Sequence, residues 1–167
     1  MPDMRDAMRG AGLQGGRPQG NRRGGPPAGA AGDRGRGDNP FPPGYPKYLT
    51  DEGHTRVELI TGEAENLAVR FEADRLKRHQ LRAFYDHAKR QLQRLVYGAP
   101  FGEVHPEIAR LKAFAADRYG RADNALPKSF KDFIDRNVDA VTDAASFQKG
   151  FMRHFEAVVA YCARIKD

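Results

Sequence analysis

Apolar residues recur at helical spacing in five stretches downstream of Leu59, and the last stretch shows the pattern most strongly. From Phe147 to Ile165 the apolar positions are Phe147, Phe151, Phe155, Val158, Val159, Cys162 and Ile165. Their steps of 4, 4, 3, 1, 3 and 3 are the period of one buried helical face. Lys149, Arg153, Glu156 and Arg164 fall on the opposite side, and Ser146 stands where a hydroxyl can cap the first unpaired amides. Three phenylalanines one turn apart require a large apolar partner surface. The segment is therefore expected to be the central helix, with the others packed around it.

The other four stretches supply that surface. Ile60, Ala64, Leu67, Ala68 and Phe71 share one face of a helix expected to begin after Thr61, its N-cap. Leu81, Phe84, Tyr85, Ala88, Leu92, Leu95 and Val96 form the long stripe of a second helix over Leu76 to Val96, ended by Gly98 and Pro100. A third is expected to start at Pro106, with Ile108, Leu111, Phe114 or Ala115, and Tyr119 inward and Gly120 as its stop. The fourth runs from Pro127 to Val141, with Phe130, Phe133, Ile134, Val138 and Val141 inward and Asp132, Asp135 and Asp139 outward. Leu49 to Leu59 leaves room for one further short turn. No stretch alternates as a strand. The expected fold is all-α, a compact five- to six-helix bundle.

Composition divides the chain. Residues 1–46 hold twelve of the eighteen glycines and eight of the eleven prolines, and are poor in aliphatics. They are expected to form a disordered Gly/Arg/Pro-rich tail, because too little apolar surface is present to offset the ordering entropy. Residues 47–167 then form the all-helical domain. Arg23-Gly24-Gly25 and Arg34-Gly35-Arg36-Gly37 have the composition of an RNA-binding arm and equally of a flexible solvated extension. The stiffer stretch Asn39 to Tyr48, NPFPPGYPKY, either docks on the domain or links it to the tail.

Charge and special residues narrow the function. The net charge of +6 favours polyanionic partners, nucleic acid or an anionic surface. The lone cysteine, Cys162, has no intrachain partner and sits on an apolar face, as a buried small hydrophobe in a reducing compartment would. No apolar run approaches the ~18–20 residues that span a bilayer, and an apolar signal segment is absent, so the expected location is the cytoplasm without membrane partners.

Motifs for catalysis are missing. The histidines lack the i, i+4 spacing of a helical zinc site, and neither GxxxxGK[ST] nor GxSxG occurs. No cofactor, metal or enzymatic activity is expected. The positive signal lies in the polar sides of two helices. Between Arg75 and Arg94 stand Arg75, Lys77, Arg78, Arg82, Lys89, Arg90 and Arg94 against Asp86 alone, and Arg110, Lys112, Arg118 and Arg121 give the next helix a second basic surface. Such cations gain when phosphates neutralise them. The bland reading is a solvated face. Two rival functions also stand at this point: a free-standing RNA chaperone acting through the Arg-Gly tail, and a helical adaptor that binds only proteins. Deleting residues 1–46 separates the first rival, which would then lose its RNA.

The closing stretch FMRHFEAVVAYCARIKD is similar to the closing motif of the small subunit of type III-A CRISPR effector complexes, the Csm small subunit. Phe151, Arg153, Phe155, Glu156, Ala157, Val158, Val159, Ala160 and Tyr161 match that motif, whereas Cys162-Ala163 replace its usual His-Lys. LKRHQLRAFYDHAKR, Leu76 to Arg90, resembles the family's helix start through Gln80, Leu81 and Arg82; LKAFAADRYGR, Leu111 to Arg121, resembles its third helix. The likeness extends over Thr61 to Asp167. It implies a non-nuclease subunit that stacks in several copies beside the backbone and large subunits, lines the groove of the guide RNA–target duplex and contacts the target RNA backbone, while a neighbouring subunit cleaves. Residue type and position then give Lys77, Arg78, Arg82, Lys112, Arg118, Arg121, Lys149 and Arg153 as the expected RNA contacts, and Arg82, Arg121 and Arg153 also lie on the matched motifs.

Overall fold

The structure, a computed structural model, describes residues 39–165. The expectation of an unfolded tail therefore lies outside the described residues for positions 1–38. Among those described, the order is α1 (Val57–Ile60), α2 (Gly62–Ala73), α3 (Arg78–Val96), α4 (Phe101–Tyr119), α5 (Lys128–Asp139), a π-helical stretch (Ser146–Phe151) running straight into α6 (Met152–Tyr161), and a closing 3-10 turn (Cys162–Arg164). The only strand-like pairing among them is an isolated antiparallel bridge between Leu49 and Thr55. The fold is the expected all-α bundle.

The last helix is central. It lies against α1, α2 and α3, while α4 packs on α3 and α5. Phe147, Phe151, Phe155, Val158, Cys162 and Ile165 are all buried. Phe155 sits in a nest of rings, 5.3 Å from Phe133, 5.4 Å from Phe151 and 5.5 Å from Tyr85 between centroids. Phe71 and Phe84 extend the nest edge-on through Phe130. Edge-to-face pairs of this kind add to area burial.

Several boundaries differ from the sequence expectation, each for a local reason. Ser146 is not the cap of the last helix. The helix begins earlier, where Asp143 Oδ1 accepts the Ser146 N–H and Ser146 Oγ accepts the Thr142 and Asp143 N–H groups, a reciprocal capping box. Thr61 does not cap α2 with its side chain; its hydroxyl donates back to the Val57 carbonyl and closes α1. Ile60 is correspondingly exposed, and Leu59 takes its place in the core. Helix α4 starts at Phe101, so Pro106 lies inside it. The carbonyl that Pro106 leaves unpaired, four residues back, belongs to exposed Gly102, where water can replace the missing bond. Helix α3 starts at Arg78 rather than Leu76, because Arg75 adopts a left-handed conformation with φ 62°. Val96, Phe114 and Tyr119 drift off the inward faces and are exposed.

The stretch Asn39 to Tyr48 docks: Phe41, Tyr45 and Tyr48 join the core. A truncation meant to remove only the glycine-rich tail must therefore end before Asn39. A buried polar chain holds this strap down. His154 Nδ1–H donates to the Leu59 carbonyl at 2.5 Å, and His154 Nε2 accepts the Tyr45 hydroxyl at 2.7 Å. Asn137 Nδ2 donates to the Tyr45 oxygen and to the Phe133 carbonyl, and Tyr48 donates to Asn137 Oδ1. Each of these buried polar groups is paired, so the chain adds specificity without an orphan's cost.

Gly150 makes the docking of Tyr48 possible. A Cβ there would stand inside van der Waals contact with Cβ and Cγ of Tyr48. Gly150→Ala is expected to lower unfolding free energy by about 1–3 kcal/mol through overpacking. Urea denaturation checks this, and a midpoint equal to that of the parent would show that the ring moves aside freely.

Candidate nucleic-acid interface

The expected contact residues gather at two places, and one stands apart. The first place is where α3 begins and α4 ends. Gln80 builds it: Oε1 accepts the Lys77 N–H at 3.1 Å, and Nε2 donates to the Asn124 carbonyl at 2.9 Å. That second bond ties the α4–α5 loop to the start of α3, and the Leu126 N–H donating to the Arg118 carbonyl closes the loop from the other side. The result is a cleft of about 250 Å³ lined by His79, Gln80, Ala83, Arg118, Arg121, Asp123 and Asn124. Arg118 lays its guanidinium over the Phe84 ring, 5.2 Å from the centroid, which fixes its direction while leaving its N–H groups available. Arg121 pairs with Asp117 at 2.6 Å on an exposed surface. A pair so placed is worth at most about 1 kcal/mol, so a phosphate can compete for the guanidinium. Lys77 and Arg78 are exposed at the start of α3. Arg82 follows Arg78 one turn on, also exposed.

The second place is the start of the last helix. Lys149 and Arg153, one turn apart and exposed, line a cleft of about 340 Å³ with Gly53, His54, Thr55 and Ile60. Arg153 also borders a neighbouring cleft of about 260 Å³ with Tyr85, Lys89, Leu92, Gln148, Met152 and Glu156. Lys89 stands 5.6 Å from the Tyr85 ring centroid, so the basic side of α3 meets that of the last helix here. Burial first, then the nearby Glu156 and Asp86 carboxylates, raise the Tyr85 phenol above its ordinary range, and it remains a neutral donor. Among the described residues, no ion pair engages Arg78, Arg82, Lys149 or Arg153.

Lys112 belongs to neither place. It pairs with Asp139 at 2.6 Å and joins α4 to α5. The outward aspartates of α5 are similarly occupied, Asp132 by Lys128 and Asp135 by Lys131. Sequence reasoning placed Lys89 on the basic side of the second helix without counting it among the contacts; it missed Gln80 as a positioning residue and His79, Asn124 and His54 as cleft walls. The Gln80–Lys77 spacing of three is the one signal that was legible, since it is the spacing of a capping box.

Among the described residues, no group of three or more His, Cys, Asp and Glu is placed to hold a metal ion, and no helix is long and apolar enough to cross a membrane. Burial pushes the Cys162 thiol up to about 12, so it stays protonated as a core hydrophobe.

The class these features define is a small all-α protein with cations gathered at two surface clefts. The chain belongs to the Csm2 Type III-A family, whose pattern matches residues 54–166. It is thus a structural small subunit of a type III-A CRISPR complex and assembles with the other subunits of that complex. No curated protein and no solved structure matches the chain.

Proposed function

We propose that this subunit is non-catalytic, acts in the cytoplasm, stacks in several copies along the complex and contacts the target RNA backbone in the guide–target groove. Arg118 and Arg121 would supply phosphate contacts from the first cleft, Lys77, Arg78 and Arg82 from the exposed side of α3, and Lys149 and Arg153 from the second cleft. Lys112 would join them only by leaving Asp139. Base pairing to the guide would supply sequence specificity, and cleavage would fall to a neighbouring subunit. The observation that carries this reading is the gathering of Arg78, Arg82, Lys149 and Arg153, without acid partners, on two helices of a family of complex-forming subunits. Cations that repel one another in the free protein gain when phosphates displace their counterions.

The test is a double substitution, Arg82→Ala with Arg121→Ala, in complexes bound to target RNA across a range of salt. Affinity should fall, and the slope of log K against log salt should flatten by about 0.7–0.9 per lost contact. An unchanged slope would remove both residues from the interface.

A further inference from the structure

The second cleft has a wall that the basic helices do not explain. Residues 50–55 form a tight turn, held by the Thr50 N–H to the His54 carbonyl at 2.8 Å, the Gly53 N–H to the Thr50 carbonyl at 2.9 Å and the Leu49–Thr55 bridge. Gly53 takes φ 80°, which a side chain would strain, and so lets the turn close. Thr55 Oγ donates to the Lys149 carbonyl at 2.7 Å, anchoring the turn to the start of the last helix. This rigid turn places the exposed side chain of His54 in the same cleft as Lys149 and Arg153. Its own acids are directed elsewhere: Asp51 pairs with Lys47, and the Glu52 carboxyl is held below its ordinary range by the Thr50 hydroxyl and a backbone N–H. From α1, only apolar Ile60 lines the cleft.

We propose that the 50–55 turn is a third wall of the RNA-binding face, with His54, Lys149 and Arg153 together seating one phosphodiester group of a single nucleic-acid strand. This inference rests on the polyanion reading of the two clefts and extends it to a loop outside both basic helices. An imidazole N–H from His54 donates to a phosphate oxygen, Lys149 supplies a compact charge, and Arg153 supplies a planar fork of donors. Thr55 is a positioning residue: it holds the turn against Lys149 and carries no charge.

Charge substitution at position 54 tests the placement. The full chain is titrated with a fluorescein-labelled single-stranded RNA of 30 uridines, and log K is followed against log salt. His54→Lys should steepen the slope by about 0.7, the increment for one added contact on a single strand. His54→Glu should weaken binding several-fold and flatten the slope. Asn66→Lys, an equal charge change on the exposed side of α2, should leave the slope near the parent value. Thr55→Val should weaken binding with the slope unchanged, because it loosens the turn without removing a charge. If Arg153→Ala flattens the slope and the position 54 variants do not differ from Asn66→Lys, the turn lies off the RNA path and only this inference fails. If the parent protein shows no salt-sensitive binding at all, the inference and the polyanion reading fail together.

Discussion

Phe155→Ala is expected to lower the unfolding free energy by about 3–5 kcal/mol, the range for removing a fully buried phenylalanine. The residue has no exposed surface and touches rings from three other elements: Tyr85 of α3, Phe130 and Phe133 of α5, and Phe151 of the π-helical stretch. Truncation removes about six ring atoms of burial and leaves a cavity that aromatic neighbours, planar and restricted to two side-chain torsions, fill poorly. Total stability in a domain of this size is of order 5–15 kcal/mol, so the loss is a large fraction of the whole. Circular-dichroism melts and urea titrations should both show it. A melt superimposable on the parent's would mean that Phe155 is not the centre of the core. Phe155→Leu, which refills most of the space, should recover part of the loss.

That expectation was legible in the sequence because Phe147, Phe151 and Phe155 fall on one helical line, and periodicity is a property of a single segment. The same holds for Phe130, Phe133 and Ile134 in α5 and for Leu81, Phe84 and Ala88 in α3, all buried as their spacing implied. Boundaries were harder to read, since they depend on which of several nearby side chains reaches a free amide. Ser146 and Thr61 both had the right chemistry for a cap, but Asp143 took the first role and the α1 turn engaged the second. Exposure at the ends of α3 and α4 was also hidden, since a stripe continues in sequence after its partner helix has ended. Val96 illustrates this in α3, as does Tyr119 in α4.

Part of the candidate interface was read from composition and part could not be. Arg78 and Arg82 were visible as an unopposed basic line, and they remain without acid partners in the fold. Lys112 carried the same signal, yet Asp139, 27 residues away, occupies it. No local pattern reports such a pair. His54 was invisible for the opposite reason. Nothing within its own segment is basic and helical, and it meets Lys149 and Arg153 only because Thr55 bonds a backbone carbonyl 94 residues along the chain. The two clefts therefore share a design: a neutral hydrogen bond from Gln80 or Thr55 holds a loop against a helix, and neighbouring cations, Arg118 with Arg121 and Lys149 with Arg153, supply the charge.

The buried chain of Tyr45, Asn137, Tyr48 and His154 was the least legible part, since it links positions 89–109 residues apart, and it gives the protein an expected acid lability. Burial holds the His154 imidazole down at about 4, against an ordinary value of 6.5. The geometry explains why protonation is resisted. A second N–H would point at the Tyr45 oxygen, which already accepts from Asn137, and the Tyr45 hydroxyl proton would lose its acceptor. Burial raises the Tyr45 and Tyr48 phenols far above their ordinary range, so neither tyrosine can ionise to compensate. The folded value lies below the unfolded one. Between pH 6.5 and 4 the unfolded chain therefore binds a proton that the folded chain does not, and stability falls as pH falls through that window. The contribution is complete above pH 6.5, is diminished by about 2 kcal/mol at pH 5, and is diminished by about 3 kcal/mol at pH 4. Unfolding free energies from urea titrations at pH 7.5, 6, 5 and 4.5 should trace this decline. His154→Gln, which cannot gain a proton, should be less stable than the parent at pH 7.5 but lose less of its stability on acidification. Parallel pH profiles for the two proteins would assign the decline to carboxylates or other histidines and would mean that His154 is readily protonated in the fold.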